Sequence, residues 1–348
     1  MPVTLIPRYS ANDAFDRQCA RQGVYSPKAT YAPLNRILVT GASGFVGRAL
    51  FQRLVTERDY TVIGTFRGPQ SGAPSGAECV PVGDLAPDTD WRRALRGVEA
   101  VVHTAARVHI MHDRNANPLA EFRRVNTEGT LALARQAANA GVRRFVFVSS
   151  IKVNGEQTSE GAPYRAGDTP HPVDPYGVSK HEAERGLRIL ADQTRMAIVI
   201  VRPVLVYGPG VKGNFRTMMR WIERGVPLPL ERTANRRSLL ALDNLSDLLM
   251  RCLEHPAAAG QTFLASDGED LSTSELIRRL AHAMGRRPRL FPLAPELVLM
   301  AGRLVGRGAE VARLLASLQV DIQHTRETLE WTPPVSVDQA LARTVARV

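Results

Sequence analysis

A short apolar run, residues 36–40, ends at Thr40 and is followed at once by Gly41, Gly44 and Gly47, after which residues 45–57 take up a helical pattern. No other feature of the chain limits its fold as tightly. Glycines in such a turn let the backbone approach a ligand, and the helix behind them offers free N–H groups and the positive end of its dipole. A diphosphate is the natural occupant, cradled by Gly41, Ser43, Gly44, Phe45, Val46 and Gly47. The strand must then lie in a parallel sheet whose carboxyl edge is open to ligands.

The rest of the first half agrees with that geometry. Strand-like runs at 60–65, 98–104, 144–149 and 197–202 alternate with helical patterns at about 118–140 and 175–194, the former stopped by Gly141. These runs are continuously apolar, which suits strands covered on both faces. The expected class is α/β, a Rossmann-like doubly wound parallel sheet. Residues 1–34 lack periodicity and read as an N-terminal arm, and 35–205 as the NAD(P)-binding domain that also holds the catalytic residues. After Pro203 prolines and glycines become frequent. Residues 206–348 therefore read mainly as a smaller α/β substrate-binding domain, with 261–265 returning to the main sheet.

Composition works mostly by exclusion. The 348 residues are 44% apolar and 23% charged, an ordinary globular mix. Net charge is +11, but acids interleave with the basic residues and no helix-turn-helix, zinc-finger spacing or aromatic platform accompanies them. Anionic small molecules are expected as ligands, and nucleic acid is not. The late apolar stretch at 295–320 is broken by Arg303, Arg307 and Arg313, so no membrane span is expected. Pro7, Arg8, Asp13 and Asp16 interrupt any secretion signal, and Cys19, Cys79 and Cys252 are too scattered for a disulfide framework. A cytoplasmic location follows as the expectation. His103, His109 and His112 lie within ten residues of one another, but His103 falls in a strand-end turn, and no metal site is expected.

Tyr176 and Lys180 stand at i and i+4 of a helical pattern, on one face. An ammonium beside a phenol favours phenolate and brings the pKa down from about 10 toward working pH, as proton exchange with a substrate hydroxyl requires. Lys180 can also hold a ribose hydroxyl of a nicotinamide cofactor. Ser149 and Ser150 lie at a strand end, without the GxSxG elbow of a serine hydrolase. An NAD enzyme usually carries an acid about 20 residues past the glycines. This chain has Arg67 there and no acid, which favours NADP over NAD; Arg48 is a second cation nearby.

The glycine spacing behind Thr40, joined to the Tyr176–Lys180 pair, resembles the extended short-chain dehydrogenase/reductases, in their NAD-dependent epimerase/dehydratase branch that modifies nucleotide sugars. The resemblance runs from about residue 36 to the C-terminus. It implies that Asp84 and Leu85 contact adenine, that Thr104, Ala105 and Ala106 form the small-residue turn beside the cofactor, and that Asn126 lies in the family's asparagine-containing helix. Counting back from Gly155 selects Ser150 over Ser149 as the partner of Tyr176. Pro203 opens the segment leading into the substrate cleft, Asn214 and Phe215 begin the nucleotide-sugar contacts, and residues 226–230 pass the nucleobase. Arg237 matches an arginine that clamps the diphosphate, and Arg236 reads as a surface charge. Asp267 and Asp270 read as ribose contacts or turn caps. Two positions depart from the pattern. Family dehydratases carry Asp-Glu after the catalytic Ser or Thr, whereas this chain has Ile151 and Lys152, so a dehydratase is rejected. Asn154 replaces the usual tyrosine, and substrate contacts there are expected to differ.

The resemblance implies an oxidoreductase acting at C4 of a UDP-sugar. A reductase of a UDP-4-keto-6-deoxy-N-acetylhexosamine in surface-polysaccharide synthesis is expected first. A 4-epimerase of the UDP-glucose or UDP-N-acetylglucosamine type, with tightly bound NAD, comes second. A reductase of a hydrophobic ketone and a non-catalytic dinucleotide-binding subunit are more distant readings. A homodimer built on the 118–140 helix and the helix carrying Tyr176 is implied as well.

Overall fold

In the computed structural model, residues 34–346 are described, apart from 58–59, 69–75, 109–116 and 305. The arm expected at 1–34 therefore lies almost wholly outside the described residues, as do His109 and His112. Ten strands occur among the described residues. The first six are β1 (Arg36–Thr40), β2 (Thr61–Phe66), β3 (Ala77–Pro81), β4 (Ala100–His103), β5 (Arg144–Val148) and β6 (Ala197–Pro203). The remainder are β7 (Leu205–Tyr207), β8 (Arg237–Ala241), β9 (Thr262–Ala265) and β10 (Asp270–Leu271).

Seven of these pair in parallel in the order β3-β2-β1-β4-β5-β6-β9. The order reverses direction between β1 and β4, and a crevice at such a switch point is where open α/β sheets take their ligands. Every residue of β4 and β5 is buried, so both faces must be covered. Helices α1 (Phe45–Glu57), α2 (Pro118–Phe122), α3 (Thr130–Asn139) and α4 (Pro175–Gln193) follow in chain order. Leu50 and Leu54 of α1 pack on one face of the sheet, with Leu245 and Leu249 from further along the chain. Leu133 and Ala137 of α3 and Leu187 of α4 pack on the other. Each such leucine contributes about 1.5–3 kcal/mol by leaving water.

Three elements of the first half differ from the sequence reading, and in the second half strands β7, β8 and β10 were not anticipated. The 98–104 strand is only β4, because Val98 turns to bond Leu95 and Thr104 turns to bond Thr40. Strand β3 was not anticipated; it is an edge strand with the exposure pattern and polar content of a rim. The 118–140 helix is interrupted by a π-helical stretch, Arg123–Gly129, where Asn126 and Thr127 bond across to Ser179 of α4. Gly141 does cap that helix, at φ +82°.

The remaining helices are α5 (Gly213–Glu223), α6 (Leu242–Glu254), α7 (Thr273–Ala283), α8 (Pro295–Leu304), α9 (Gly308–Leu315), α10 (Gln323–Leu329) and α11 (Val337–Val345). A three-stranded sheet, β10-β8-β7, and a second core holding Phe215, Met219, Leu280 and Leu341 organise this half. Strand β9 returns to the main sheet beside β6, as expected. No helix among the described residues is long and apolar enough to cross a membrane.

Candidate active site

The glycine turn is built as its spacing requires. Gly41 sits at φ +67°, and a Cβ there would lie 2.9 Å from the Ala105 backbone. A Cβ on Gly47 would lie 2.2 Å from the Gly41 carbonyl and 2.5 Å from Thr104 Oγ1. Both positions thus need glycine for close packing of helix on strand. Gly44 N–H donates to the Gly41 carbonyl at 2.8 Å, and Ser43 and Gly44 face solvent. The first turn of α1, with Phe45 and Val46, carries no acid, so nothing opposes an anion at this positive helix end. Arg48 reaches across toward Gly210, its Nη2 lying 3.4 Å from where a Cβ on that glycine would be.

Beside the turn, Thr104 Oγ1 donates to the Thr40 carbonyl at 2.6 Å, and the Ala105 N–H donates to Thr40 Oγ1 at 3.3 Å. Ala105 and Ala106 add no bulk at that edge. Asn126 is fully buried and braces the same turn, accepting from the Arg107 N–H at 2.8 Å and donating to the Arg107 carbonyl at 3.0 Å. Leu85 packs against Gly129, 3.0 Å from its would-be Cβ. A dinucleotide diphosphate fits this cradle by charge and by clearance. Arg67 and Asp84 form an exposed ion pair, Nε to Oδ1 at 3.3 Å. An acid from the segment after β3 thus stands beside Arg67, and its charge offsets the phosphate preference inferred from Arg67 alone.

Strand β5 delivers two adjacent serines to different surroundings. Ser149 is buried and donates to Glu184 Oε1 at 2.6 Å. Ser150 is partly exposed, caps the short 3₁₀ turn Ile151–Val153, and its hydroxyl lies close enough to Tyr176 to favour the phenolate. Helix α4 starts at Pro175 behind the N-cap Asp174, which accepts from the Gly177 N–H at 2.6 Å and so sets the first turn carrying Tyr176. Tyr176 meets Phe122 edge-on, ring centroids 6.0 Å apart. Lys180 Nζ donates to the Val148 carbonyl at 2.9 Å, 4.5 Å from the Phe147 ring centroid and 6.0 Å from that of Tyr176. The expected lowering of the phenol is reversed. Burial, with Asp174 adding repulsion, pushes Tyr176 up to about 12, against the opposing influence of the Ser150 hydroxyl. Lys180 is itself pushed down to about 7 by burial, with Glu184 opposing. Desolvation outweighs the pairing because both groups are away from water.

Lys152, where family dehydratases carry acid, pairs with Asp174 and with Glu156 at 3.1 Å, and Ile151 is buried. His103 is bonded at both ring nitrogens, to Thr40 at 2.7 Å and Thr130 at 2.9 Å, and burial lowers it to about 3. It is a neutral structural group.

In the second half, Pro203 ends β6 against Ala265, and Asn214 is exposed on the first turn of α5. Phe215 turns inward and stacks on Tyr207 at 5.5 Å. Arg237 Nη1 donates to the carbonyls of Arg313 at 2.6 Å and Ala316 at 3.0 Å, and burial lowers its pKa. Its Nε and Nη2 take no partner among the described residues. Arg236 is exposed, as expected. Asp267 and Asp270 are structural. Asp267 accepts from Tyr207, Asn244 and the Ala241 N–H, and Asp270 accepts from Ser238 and Gln319.

The NAD dependent epimerase/dehydratase family matches residues 37–265 of this chain. The chain belongs to that family. A relative in Vibrio cholerae, "UDP-glucose 4-epimerase", is 45% identical over 88% of this chain and 94% of its own length. The "N-acetyl-alpha-D-glucosaminyl-diphospho-ditrans,octacis-undecaprenol 4-epimerase" of Escherichia coli O157:H7 is 24% identical over 89% of this chain and 94% of its own. A UDP-glucuronic acid 4-epimerase from Bacillus cereus in complex with NAD superposes with a TM-score of 0.72, at 20% identity, covering 90% of this chain and 98% of that one. That likeness shows the fold.

Within this epimerase/dehydratase chain, sequence reasoning missed Glu184. It is fully buried and takes Arg202 in a two-pronged pair, Nε to Oε1 at 2.9 Å and Nη2 to Oε2 at 2.5 Å. Arg202 also donates to Asn154 at 2.9 Å, so Asn154, which stands where the family has tyrosine, is a buried strut. The spacing of Glu184, four residues after Lys180, was the available signal.

Proposed function

We propose that this protein is an NAD(P)-dependent 4-epimerase of a UDP-linked hexose or N-acetylhexosamine. The observation that carries the reading is the convergence of Ser150, Tyr176 and Lys180 on the carboxyl edge of the sheet, next to a dinucleotide cradle. The 45% identical relative supports epimerase ahead of the reductase expected first from sequence. A bound nicotinamide dinucleotide supplies an acceptor and then a donor for the hydride at C4. The chain's own groups manage the proton. Ser150 holds the C4 oxygen, and Tyr176 Oη takes the hydroxyl proton and returns it after the keto sugar has turned over in the cleft. For Tyr176 to accept that proton its phenol must first be lowered from about 12, and Lys180 is the cation poised to do so. Arg237 holds the substrate diphosphate through Nε and Nη2, the atoms its carbonyl contacts leave unused. With Ile151 and Lys152 after Ser150, the acid and base for eliminating water are missing at those positions.

The reductase of a UDP-4-keto-6-deoxy-N-acetylhexosamine is a second reading, favoured by Arg67, whose side chain is 85% exposed and could leave Asp84 for the 2′-phosphate of an exchanging NADPH. One experiment separates the two. Purified protein is incubated with UDP-glucose or UDP-N-acetylglucosamine without added cofactor and the sugar is followed by NMR. Conversion to the C4 epimer, with dinucleotide released on denaturation, establishes the epimerase. No conversion, with stoichiometric oxidation of NADPH or NADH by the 4-keto-6-deoxy substrate, establishes the reductase. We further infer a homodimer through α4, on which Ile189 is 56% exposed; the mass by light scattering checks it. The free thiols Cys79 and Cys252 suit the reducing cytoplasm.

A further inference from the structure

Nine large apolar side chains are exposed among the described residues, and four of them fall between 291 and 304: Phe291, Leu297, Met300 and Leu304. Single exposed hydrophobics are ordinary, but a cluster calls for an occupant. Leu297, Met300 and Leu304 stand at i, i+3 and i+7 of α8, so they form one stripe along the helix, with Ala301 exposed beside them. Leu304 is 82% exposed. On the opposite side Val298 and Gly302 are buried, and Gly302 lies so near α9 that a Cβ would be 2.6 Å from Val311 Cγ2. The helix thus turns its smaller residues to the core and its larger ones to solvent, the reverse of an ordinary surface helix.

Charge around the stripe identifies what would cover it. Arg286, Arg287, Arg289, Arg303 and Arg307 are all exposed, and Glu296 is the one acid from 286 to 307. None of these five arginines forms an ion pair among the described residues, whereas Arg278 and Arg279 in α7 pair with Glu231 and Glu269. The segment leading into the helix is pinned, Leu228 donating to the Arg289 carbonyl at 2.8 Å and Phe291 donating to the Leu228 carbonyl at 3.1 Å.

We propose that α8 docks this protein, lying in the plane of the surface, on a bilayer carrying anionic lipid. Leu297, Met300 and Leu304 enter the boundary between headgroups and acyl chains, and the flanking arginines meet lipid phosphates. The helix has 10 residues, far short of a span, so it lies flat. A second copy of the chain is the poorer occupant, because a symmetric contact would set the same uncompensated arginines against each other. An anionic membrane answers the apolar stripe and its charge together.

The test is sedimentation of the full chain with vesicles of phosphatidylcholine alone or with added phosphatidylglycerol, at low and at high salt. The protein should pellet with the anionic vesicles at low salt and stay in solution with the neutral ones. Arg303→Gln with Arg307→Gln should lower partitioning roughly 25-fold, from about five-fold for each basic residue near the surface. Leu297→Gln, Met300→Gln and Leu304→Gln together should lower it by roughly ten-fold or more, with the melting temperature unchanged. Failure of the wild-type chain to bind either vesicle overturns the proposal, as does binding that neither variant weakens. A wild-type dimer that the triple variant converts to monomer, without lipid binding, assigns the stripe to a contact between copies and overturns it equally.

Discussion

Around Tyr176, buried polar groups come from successive strands and helices of one sheet; around Arg237, they are drawn from segments scattered over the second half. Ser149, Lys180, Glu184 and Arg202 lie within two β–α units, and their partners are one another, the adjoining strand or Asn154 just beyond it. Arg237, by contrast, is held by carbonyls at 313 and 316, and Asp267 by Tyr207, Ala241 and Asn244. The first region joins its proposed catalytic side chains to a buried ion pair, so the chemistry assigned to it and its stability would share residues. In the second, most polar side chains serve architecture, and Arg237 retains free donors only because its two contacts use a single nitrogen. A region built from neighbouring units advertises its chemistry in local motifs. One assembled from distant segments does not.

The comparison can be broken most forcefully at Tyr176. Tyr176→Phe should lower turnover by on the order of 10²–10⁴-fold, the usual worth of a positioned acid–base group, while dinucleotide binding persists. Turnover left near wild type would remove the phenol from the mechanism. At the next level, Glu184→Ala leaves the Arg202 guanidinium buried without its counter-charge. A loss of about 3–5 kcal/mol in denaturant unfolding is expected, and a loss below about 1 kcal/mol would show that this ion pair does not bind the two units together.

Arg237→Ala sharpens the contrast from the other side. If its free nitrogens hold the diphosphate, KM for the UDP-sugar rises roughly ten- to hundred-fold, the equivalent of about 1.5–3 kcal/mol for a hydrogen bond to a charged group. A fall in melting temperature with KM unchanged would make Arg237 as structural as Asp267. The smallest effect is in pH dependence. Lys180 binds its proton with a pKa of about 7 when folded against 10.5 ordinarily. Between those values the unfolded chain holds more protons than the folded one, so this group makes stability rise with pH across that window and disfavours the fold below it. Lys180→Met should flatten the rise, read from urea midpoints at several pH values. An unchanged slope would place the titration elsewhere.

Much of the site was legible because its signals are local. Three glycines at fixed spacing demand a close turn, and two residues four apart on a helix demand a shared face; neither conclusion needs the rest of the chain. The continuous apolar runs likewise announced buried parallel strands and the doubly wound sheet. The preference for Ser150 over Ser149, by contrast, came from the resemblance alone, by counting back from Gly155 against the family's pattern. Tertiary structure alone decided whatever depends on which segments meet. It placed Asp84 beside Arg67 and weakened the argument for NADP, and it buried Asn154 under Arg202. It sent Tyr176 upward in pKa instead of downward, because desolvation is set by everything packed around a group and not by its neighbour four residues on. It also turned the large side chains of α8 outward, which no periodicity of that helix could reveal, since an apolar stripe reads the same whether it faces core or solvent.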